Sequence, residues 1–207
     1  MAVDWHKTLD PAGCAVLCME MQQGILDPNG LFPQLVAAVK KADVIAQGKN
    51  LLTAARARGI RVVHCTAAFR ADRSGTAINT PLIAGLLKHQ QHMLEGTPAI
   101  NVIPEWSGSS DIESRRYSGV SPFTATDLHA QLQAMNIKTV IVMGVSLNLG
   151  VTGLCIEASN LGYQVIISNA VAGYPEDYAE AILENTLSLI ATPMAVDNII
   201  DYWRVYE

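Results

Sequence analysis

Residues 138–158, KTVIVMGVSLNLGVTGLCIEA, contain the pattern that decides the fold. An apolar, β-branched run at 140–143 leads to Gly144 and a polar loop at 146–150, and a helical pattern begins near Val151. This order predicts a strand, a tight turn and a helix N-terminus. In open parallel sheets ligands bind beyond the carboxyl ends of the strands, where helix N–H groups lack helical partners. We therefore expect a binding site at this turn.

The bulk composition predicts one domain that spans residues 1–207. Half of the 207 residues are hydrophobic and the formal net charge is −5. No Lys/Arg cluster is long enough to neutralise a run of phosphates, so we expect no nucleic-acid partner. No apolar run approaches the ~20 residues of a membrane span, and the N-terminus lacks the pattern of a signal peptide.

The four cysteines indicate the compartment. They are scattered through apolar segments and none forms a C-x-x-C pair. Buried free thiols fit a reducing environment, so we predict a cytoplasmic protein.

Strand and helix patterns alternate along the rest of the chain. Strand patterns cover residues 14–21, 60–66, 139–143 and 163–168. The longest helical pattern covers 35–59, and a shorter one covers 81–95 within an irregular middle that we expect to form a lid or an oligomer contact. The alternation predicts an α/β fold, a three-layer α/β/α sandwich with a mostly parallel, doubly wound sheet. The strand ends would then share one edge of the sheet, at Glu20, Thr66, Gly144 and Asn169.

Charged residues lie near two of the predicted turns. A carboxylate such as Glu20, at the end of a buried strand, is costly unless it is hydrogen-bonded or used, although an edge position facing solvent is the alternative. Arg115 and Arg116 would bind a substrate carboxylate bidentately beside a cleft, or form a solvated surface pair elsewhere. The sequence pattern leaves both alternatives open.

Three blocks in matching order and spacing resemble the isochorismatase-like hydrolases, also called cysteine hydrolases. AVLCMEMQQG (15–24) is similar to the family's first strand, which ends in an Asp-x-Gln motif. Residues 121–151 resemble its S-x-F-x-x-T-x-L motif with the following helix, strand and nucleophile loop. LGYQVIISNAVAGY (161–174) resembles its G-Y-x-V strand. The resemblance covers nearly the whole chain and implies the same α/β/α fold.

The family's three catalytic residues, an Asp, a Lys and a Cys nucleophile, are all changed at the matching positions. Glu20 stands where the Asp is expected, and Gly150 occupies the position of the nucleophile. Since glycine cannot attack a carbonyl, the thioester mechanism cannot run from that site. No lysine matches the Lys position, where we expect Arg115 or Arg116 to supply the charge, and we assign Glu20, Arg116 and Gly150 to the catalytic centre. The chain is thus identified as a divergent member that lacks the nucleophilic Cys.

The resemblance also implies a reaction that needs no nucleophile. Some isochorismatases with a similar loop ending in Gly hydrolyse a vinyl ether, in which a general acid protonates carbon and water attacks the oxocarbenium ion. We expect Glu20 to supply this proton, because desolvation at a buried strand end favours the neutral acid. The expected substrate is a small carboxylated metabolite. No cofactor is implied, and no metal, since the family's Asp and two His after the second strand are missing.

The remaining positions follow from the same resemblance. We expect the Val145–Ser146 peptide bond, which matches the family's cis bond, to be cis. The residues expected to bind substrate are Gln22, Ala68, Arg115, Tyr117, Phe123, Val145, Ser146 and Asn148.

Two other functions and the oligomeric state stay open. The chain would be a catalytically silent binding protein if the altered residues support no chemistry, or an amidase if Cys155 acts as an unexpected nucleophile. Cys155 lies inside a predicted helix, however, and should face the core. Apolar residues at Trp106, Trp203 and Tyr206 predict either contacts in a homodimer or homotetramer or packing within one chain.

Overall fold

A parallel sheet of six strands runs through the centre of the computed structural model, which describes residues 3–204. The strands are β1 (Cys14–Met19), β2 (Arg61–Ala67), β3 (Ile112–Arg116), β4 (Thr139–Val145), β5 (Gln164–Ala172) and β6 (Thr192–Met194). They lie in the order β3-β2-β1-β4-β5-β6, and every neighbouring pair is parallel. The chain therefore reverses its direction of winding between β1 and β4, where doubly wound folds place their ligands.

Helices cover both faces of this sheet. They are α1 (Trp5–Thr8), α2 (Pro33–Lys41), α3 (Val44–Ala57), α4 (Pro81–Leu86), α5 (Leu128–Ala134), α6 (Thr152–Asn160), α7 (Glu176–Asn185) and α8 (Val196–Arg204). Helices α2, α3 and α8 enclose one core, and α5, α6 and α7 enclose the other. The predicted three-layer α/β/α architecture is confirmed. No helix among residues 3–204 is long and apolar enough to cross a lipid bilayer.

Alternation along the central strands divides the apolar side chains between the two cores. In β1, Val16 and Cys18 face one helical layer, whereas Ala15 and Leu17 face the other. Successive side chains of a strand point to opposite faces, so a strand that is buried on both faces must be apolar throughout. This requirement explains why β1 and β4 stand out in the sequence.

The long helix predicted over residues 35–59 is wrong in one respect, because it is two helices. The N–H of Ala42 donates to the carbonyl oxygen of Ala38 at the end of α2, and Asp43 then adopts a left-handed conformation with φ 51°. Helix α3 begins at the next residue. Both helices pack on the same core, so the apolar spacing continues across the break and hides it.

Two strands were not predicted, and β5 is longer than expected. Strand β3 has the mixed sequence IESRR and pairs only with β2, at one edge of the sheet, while β6 has three residues at the other. Neither needs a continuous apolar run. Strand β5 continues to Ala172, so Asn169 lies inside a strand rather than at its end, and its Oδ1 accepts from the Val196 N–H at 2.8 Å.

The helix predicted over residues 81–95 is also shorter, since α4 ends at Leu86. The following residues make turns, and Leu94 forms a parallel bridge with Phe69. Met93 precedes this bridge with a positive φ of 50°, which is incompatible with a continuing helix. Pairing with the segment after β2 thus overrides the local helical pattern.

The two tryptophans expected at a subunit contact are packed inside this chain. Trp106 is fully buried and its Nε1 donates to the Ile45 carbonyl oxygen at 3.0 Å. Trp203, on α8, is 1% exposed and belongs to the core beneath α2 and α3. The alternative of packing within one chain is therefore correct for both, and Tyr206 lies outside the described residues.

We predict that Gly48→Ala destabilises the fold by about 1–3 kcal/mol, the usual cost of overpacking a core. A Cβ at Gly48 would lie 1.9 Å from Cζ2 of Trp106, so the indole would have to move. The matched control is Gly85→Ala on α4, where no atom lies within 4 Å of the added Cβ. Urea unfolding measures both, and equal midpoints for the two variants would contradict this packing.

Candidate active site

A cavity of about 280 Å³ opens at the carboxyl ends of the central strands. Glu20 follows β1, Arg116 ends β3, Ser146 follows β4, and Gly150 lies in the turn that leads to α6. All four line the cavity. The cavity is thus next to the reversal point between β1 and β4, where the fold predicts a ligand site.

Glu20 has an unusual backbone conformation. Its φ is 52°, in the left-handed region that non-glycine residues seldom adopt and that costs about 1 kcal/mol or more. Two hydrogen bonds hold it there, from its N–H to the Cys65 carbonyl oxygen at 3.0 Å and from the Gln22 N–H to its own carbonyl oxygen at 2.8 Å. The surrounding turn therefore holds Glu20 in this strained conformation at the carboxyl end of β1.

Arg116 forms an ion pair with Glu20 inside the site. Its Nη2 donates to Oε1 of Glu20, and its Nε donates to the Gly119 carbonyl oxygen at 3.2 Å. Arg116 is only 4% exposed, so the alternative of a solvated surface pair is wrong for this residue. Its guanidinium stabilises the negative charge of the carboxylate, as contact between opposite charges does.

Arg115 has a different environment from its neighbour. Its Nη2 donates to Oε1 of Glu113 at 2.6 Å, on the opposite side of β3, and it does not line the cavity. Successive side chains of a strand point to opposite faces, so only one of the two arginines can enter the site. The expectation that Arg115 binds substrate is not supported by this geometry.

Gly150 lies against the carboxylate of Glu20. A Cβ built on Gly150 would be 3.1 Å from Oε2 of Glu20 and 3.0 Å from Cε of Met19. The side chain of Glu20 therefore occupies the space that a residue larger than glycine would need at position 150. A cysteine side chain at position 150 would crowd the carboxylate of Glu20 unless one of the two side chains moved.

The segment after β4 brings further polar groups to the cavity. The Val145–Ser146 peptide bond is cis, as expected, and a π-helical turn, Leu147–Val151, leads into α6. Ser146 and Asn148 line the cavity, whereas the side chain of Val145 is buried in the core. Short π-helical turns often occur at functional sites.

The other predicted binding residues divide into two pairs. Ala68 and Tyr117 line the cavity, and the Tyr117 hydroxyl donates to Oε1 of Glu95 at 2.5 Å. Gln22 and Phe123 do not line it. The Nε2 of Gln22 donates to the carbonyl oxygens of Ala67 and Ile100.

Their contacts explain why Gln22 and Phe123 lie outside the cavity lining. Besides those bonds, Oε1 of Gln22 accepts from the Ala67 N–H at 2.8 Å, so its amide joins the end of β2 to a neighbouring loop. Phe123 stacks on Tyr163 at a centroid distance of 6.3 Å within the core beneath α5 and α6. Both side chains therefore make contacts within the protein and do not line the cavity.

An apolar wall of the cavity was not predicted from the sequence. It consists of Phe32, Phe69, Leu82, Ile83, Leu86 and Met93, with the half-buried His92 among them. Three of these side chains belong to α4, and Phe32 precedes α2. The available signal was the apolar content of the irregular middle, which was predicted to form a lid or an oligomer contact.

Burial keeps the imidazole of His92 neutral. The pKa of His92 is lowered to about 4, mainly by desolvation and also by repulsion from His89. Its ring packs edge-on against Phe32 at a centroid distance of 5.7 Å. At neutral pH this residue therefore adds an uncharged polar ring to the apolar wall.

None of the four cysteines lines the cavity. All are buried and free, and burial raises the pKa of the Cys155 thiol to about 12. Desolvation likewise raises the pKa of Cys65 to about 12, although nearby Arg116 lowers it. Because the thiolate is the nucleophilic form, this geometry does not support the amidase hypothesis. No group of three or more His, Cys, Asp or Glu within residues 3–204 is placed to hold a metal ion.

The Isochorismatase domain model matches residues 14–198, which include every strand and the whole cavity edge. This chain belongs to the isochorismatase family. An uncharacterised isochorismatase family protein of Bacillus subtilis, YwoC, is 26% identical over 186 residues, which cover 87% of this chain and 86% of that protein.

Solved structures share the isochorismatase fold. A cysteine hydrolase from Pseudomonas syringae superposes with a TM-score of 0.84 and 22% identity, covering 97% of this chain and 96% of that one. N-carbamoylsarcosine amidase from Thermoplasma acidophilum gives a TM-score of 0.70 with 19% identity, covering 89% and 96% of the two chains. At such identities the similarity shows a common fold, and the chemistry must be argued from the site itself.

Gly150→Ala should destabilise the protein by about 1–2 kcal/mol, because the added methyl group overpacks the space beside Glu20. Gly153→Ala on α6 is the control, since its Cβ would make an ordinary contact at 3.5 Å with Val120. Urea unfolding of Gly150→Ala, Glu20→Ala and the double variant gives the coupling between the two positions. Strict additivity would show that the two side chains do not compete for space.

Iodoacetamide at neutral pH should leave Cys155 unmodified in the native protein and modify it after denaturation in urea. The expected protection follows from its full burial and raised pKa. Mass spectrometry of peptides measures the extent of alkylation at each cysteine. A stoichiometric native adduct on Cys155 would revive the thiol mechanism.

Proposed function

We propose that this chain hydrolyses a small molecule without forming a covalent enzyme intermediate, and that Glu20 transfers the proton. The observation that carries the proposal is the placement of its carboxylate. Oε1 is held by Arg116, while Oε2 lies 3.1 Å from where the first side-chain atom of residue 150 would be. The carboxyl group of Glu20, which can transfer a proton, therefore lies beside residue 150, where the family resemblance places the nucleophile.

The reaction that suits this arrangement is the hydrolysis of a vinyl ether. Glu20 first takes up a proton from water, which interrupts its ion pair with Arg116. It then gives this proton to the enol-ether carbon, which leaves an oxocarbenium ion and restores the carboxylate. Water adds to the cation and returns a proton to Glu20, and the resulting hemiketal separates into a carbonyl compound and an alcohol. No thiol is required at any step.

Arg116 has a defined part in these steps. Its guanidinium stabilises the carboxylate that remains after Glu20 has given up its proton, and it keeps the carboxyl group beside Gly150. Nη1 of Arg116 is buried without a hydrogen-bond partner, whereas Nη2 holds Glu20 and Nε holds the Gly119 carbonyl oxygen. The same guanidinium can therefore hold Glu20 and offer one further donor to a polar group of the substrate.

A small-molecule binding protein on the same scaffold is the second candidate. The observation that favours it is that Glu20 and Arg116 neutralise each other, which leaves the described cavity residues without an unpaired charge. Such a cavity can hold a ligand without reacting with it. The two candidates differ in whether turnover depends on Glu20.

We further propose that the protein works in the cytoplasm as a homodimer or homotetramer. The four buried free thiols support a reducing compartment. Exposed apolar residues outside the cavity, including Leu189 at 80% and Tyr178 at 56%, support a subunit contact.

Glu20→Gln should lower kcat by about 10²-fold or more on a substrate found by screening vinyl ethers, esters and amides. The amide keeps the size of the side chain but cannot transfer the proton. Glu113→Gln, which changes an exposed carboxylate on β3, is the matched control and should retain full activity. Steady-state kinetics of the purified proteins provides the measurement.

Two outcomes would overturn the hydrolase proposal. Full turnover by Glu20→Gln would remove Glu20 from the mechanism. If the whole panel is bound but none of it is hydrolysed, the binding protein becomes the better conclusion.

A further inference from the structure

We infer that the cavity takes a substrate with an uncharged, apolar arm. In this assignment, which rests on the proposed function, the reacting bond lies beside Glu20 and the arm extends along the wall between Phe32 and Leu86. The arm has about the size of an aromatic ring or a short alkyl chain. The sequence did not predict such an arm.

The first argument is the composition of the wall. Phe32, Phe69, Ile83, Leu86 and Met93 come from four separate parts of the chain, all line the cavity and belong to one apolar cluster. Burying an aliphatic or aromatic group against such side chains is favourable in proportion to the apolar area removed from water. This part of the cavity lining therefore favours the binding of an apolar group.

The second argument is size. The cavity measures about 280 Å³, whereas an engineered apolar cavity of about 150 Å³ in another protein is enough to bind benzene. A ring or a chain of several carbons fits together with the group that reacts. A substrate with only two or three heavy atoms would leave the wall uncovered.

The third argument is charge. Glu20 is paired with Arg116, and burial lowers the pKa of His92 to about 4, so its ring is neutral at pH 7. Tyr117 donates to Glu95, outside the cavity lining. No described residue that lines the cavity presents an unpaired charge. A charged group on the arm would lose its hydration without gaining a partner.

The fourth argument is the mouth of the cavity. Leu82, Leu149 and Tyr174 line it, and they are 37%, 40% and 48% exposed, respectively. Large apolar side chains that remain exposed around an opening often mark a binding site. The apolar surface thus continues from the rim to the inner wall.

The test measures binding of primary amides, which carry no vinyl ether for Glu20 to protonate, to the full chain by isothermal titration calorimetry. The series from propanamide to hexanamide lengthens an uncharged arm by one methylene at a time. We expect the affinity to rise about fourfold per methylene, since each buried CH₂ contributes favourably. Adipamate, which has the chain of hexanamide with a terminal carboxylate, should bind at least tenfold more weakly than hexanamide.

Wall variants locate the binding. Leu86→Gln should weaken hexanamide binding at least fivefold and reduce the increase per methylene, whereas Leu161→Gln, at an exposed site outside the cavity lining, should change neither. Circular dichroism confirms that both variants are folded. Equal affinities for all chain lengths, tighter binding of adipamate than of hexanamide, or equal effects of the two variants would each overturn the inference.

The outcome is separate from that of the proposed function, because binding is measured without turnover. Chain-length dependence in a protein that hydrolyses none of the screened bonds would support the apolar ligand class and remove the hydrolase. Glu20-dependent turnover of charged substrates, with no dependence of binding on chain length, would overturn the apolar class and leave the hydrolase intact.

Discussion

The ion pair between Glu20 and Arg116 joins two strands that are not neighbours. β2 lies between β1 and β3, so the side chains meet beyond its carboxyl end, at the base of the cavity. Each charge is costly to bury alone, and removing one partner of a buried pair typically costs about 3–5 kcal/mol. The pair therefore fixes both residues, and the left-handed backbone of Glu20 is tolerated because the surrounding contacts hold it in place.

This constraint extends to the loop after β4. With its carboxylate held by Arg116, Glu20 narrows the space beside residue 150, where an added Cβ would lie 3.1 Å from Oε2. The carboxylate of Glu20 and the absence of a side chain at Gly150 thus complement each other in one small volume. Glu20, Arg116 and Gly150 are therefore coupled by charge and packing.

The strands of the isochorismatase fold carry the polar part of the candidate site. Strands β1 and β4, the cis bond at Val145–Ser146 and the turn into α6 form its scaffold. The segment that includes α4 adds apolar side chains to the cavity lining. Rigid strand ends position the polar groups, and a connecting segment determines what lies against them, which is a common division of roles in α/β proteins.

By itself, the sequence determined the features that depend on local chemistry. The buried strands β1 and β4, the turn between β4 and α6, the carboxylate of Glu20 at a strand end and the absence of a thiol at Gly150 all follow from apolar periodicity, turn residues and residue identity. The alternation of strand and helix patterns along the chain was enough to predict the three layers. These properties are set by neighbours in the chain.

Only the tertiary structure decided which arginine enters the site, what closes the cavity and where the tryptophans pack. Arg116 rather than Arg115 meets Glu20 because β3, a polar edge strand with no clear pattern, takes one register beside β2. Gln22 supports β2 instead of lining the cavity, since its amide finds backbone partners far along the chain. Such contacts depend on strand register and long-range packing, which local patterns do not encode.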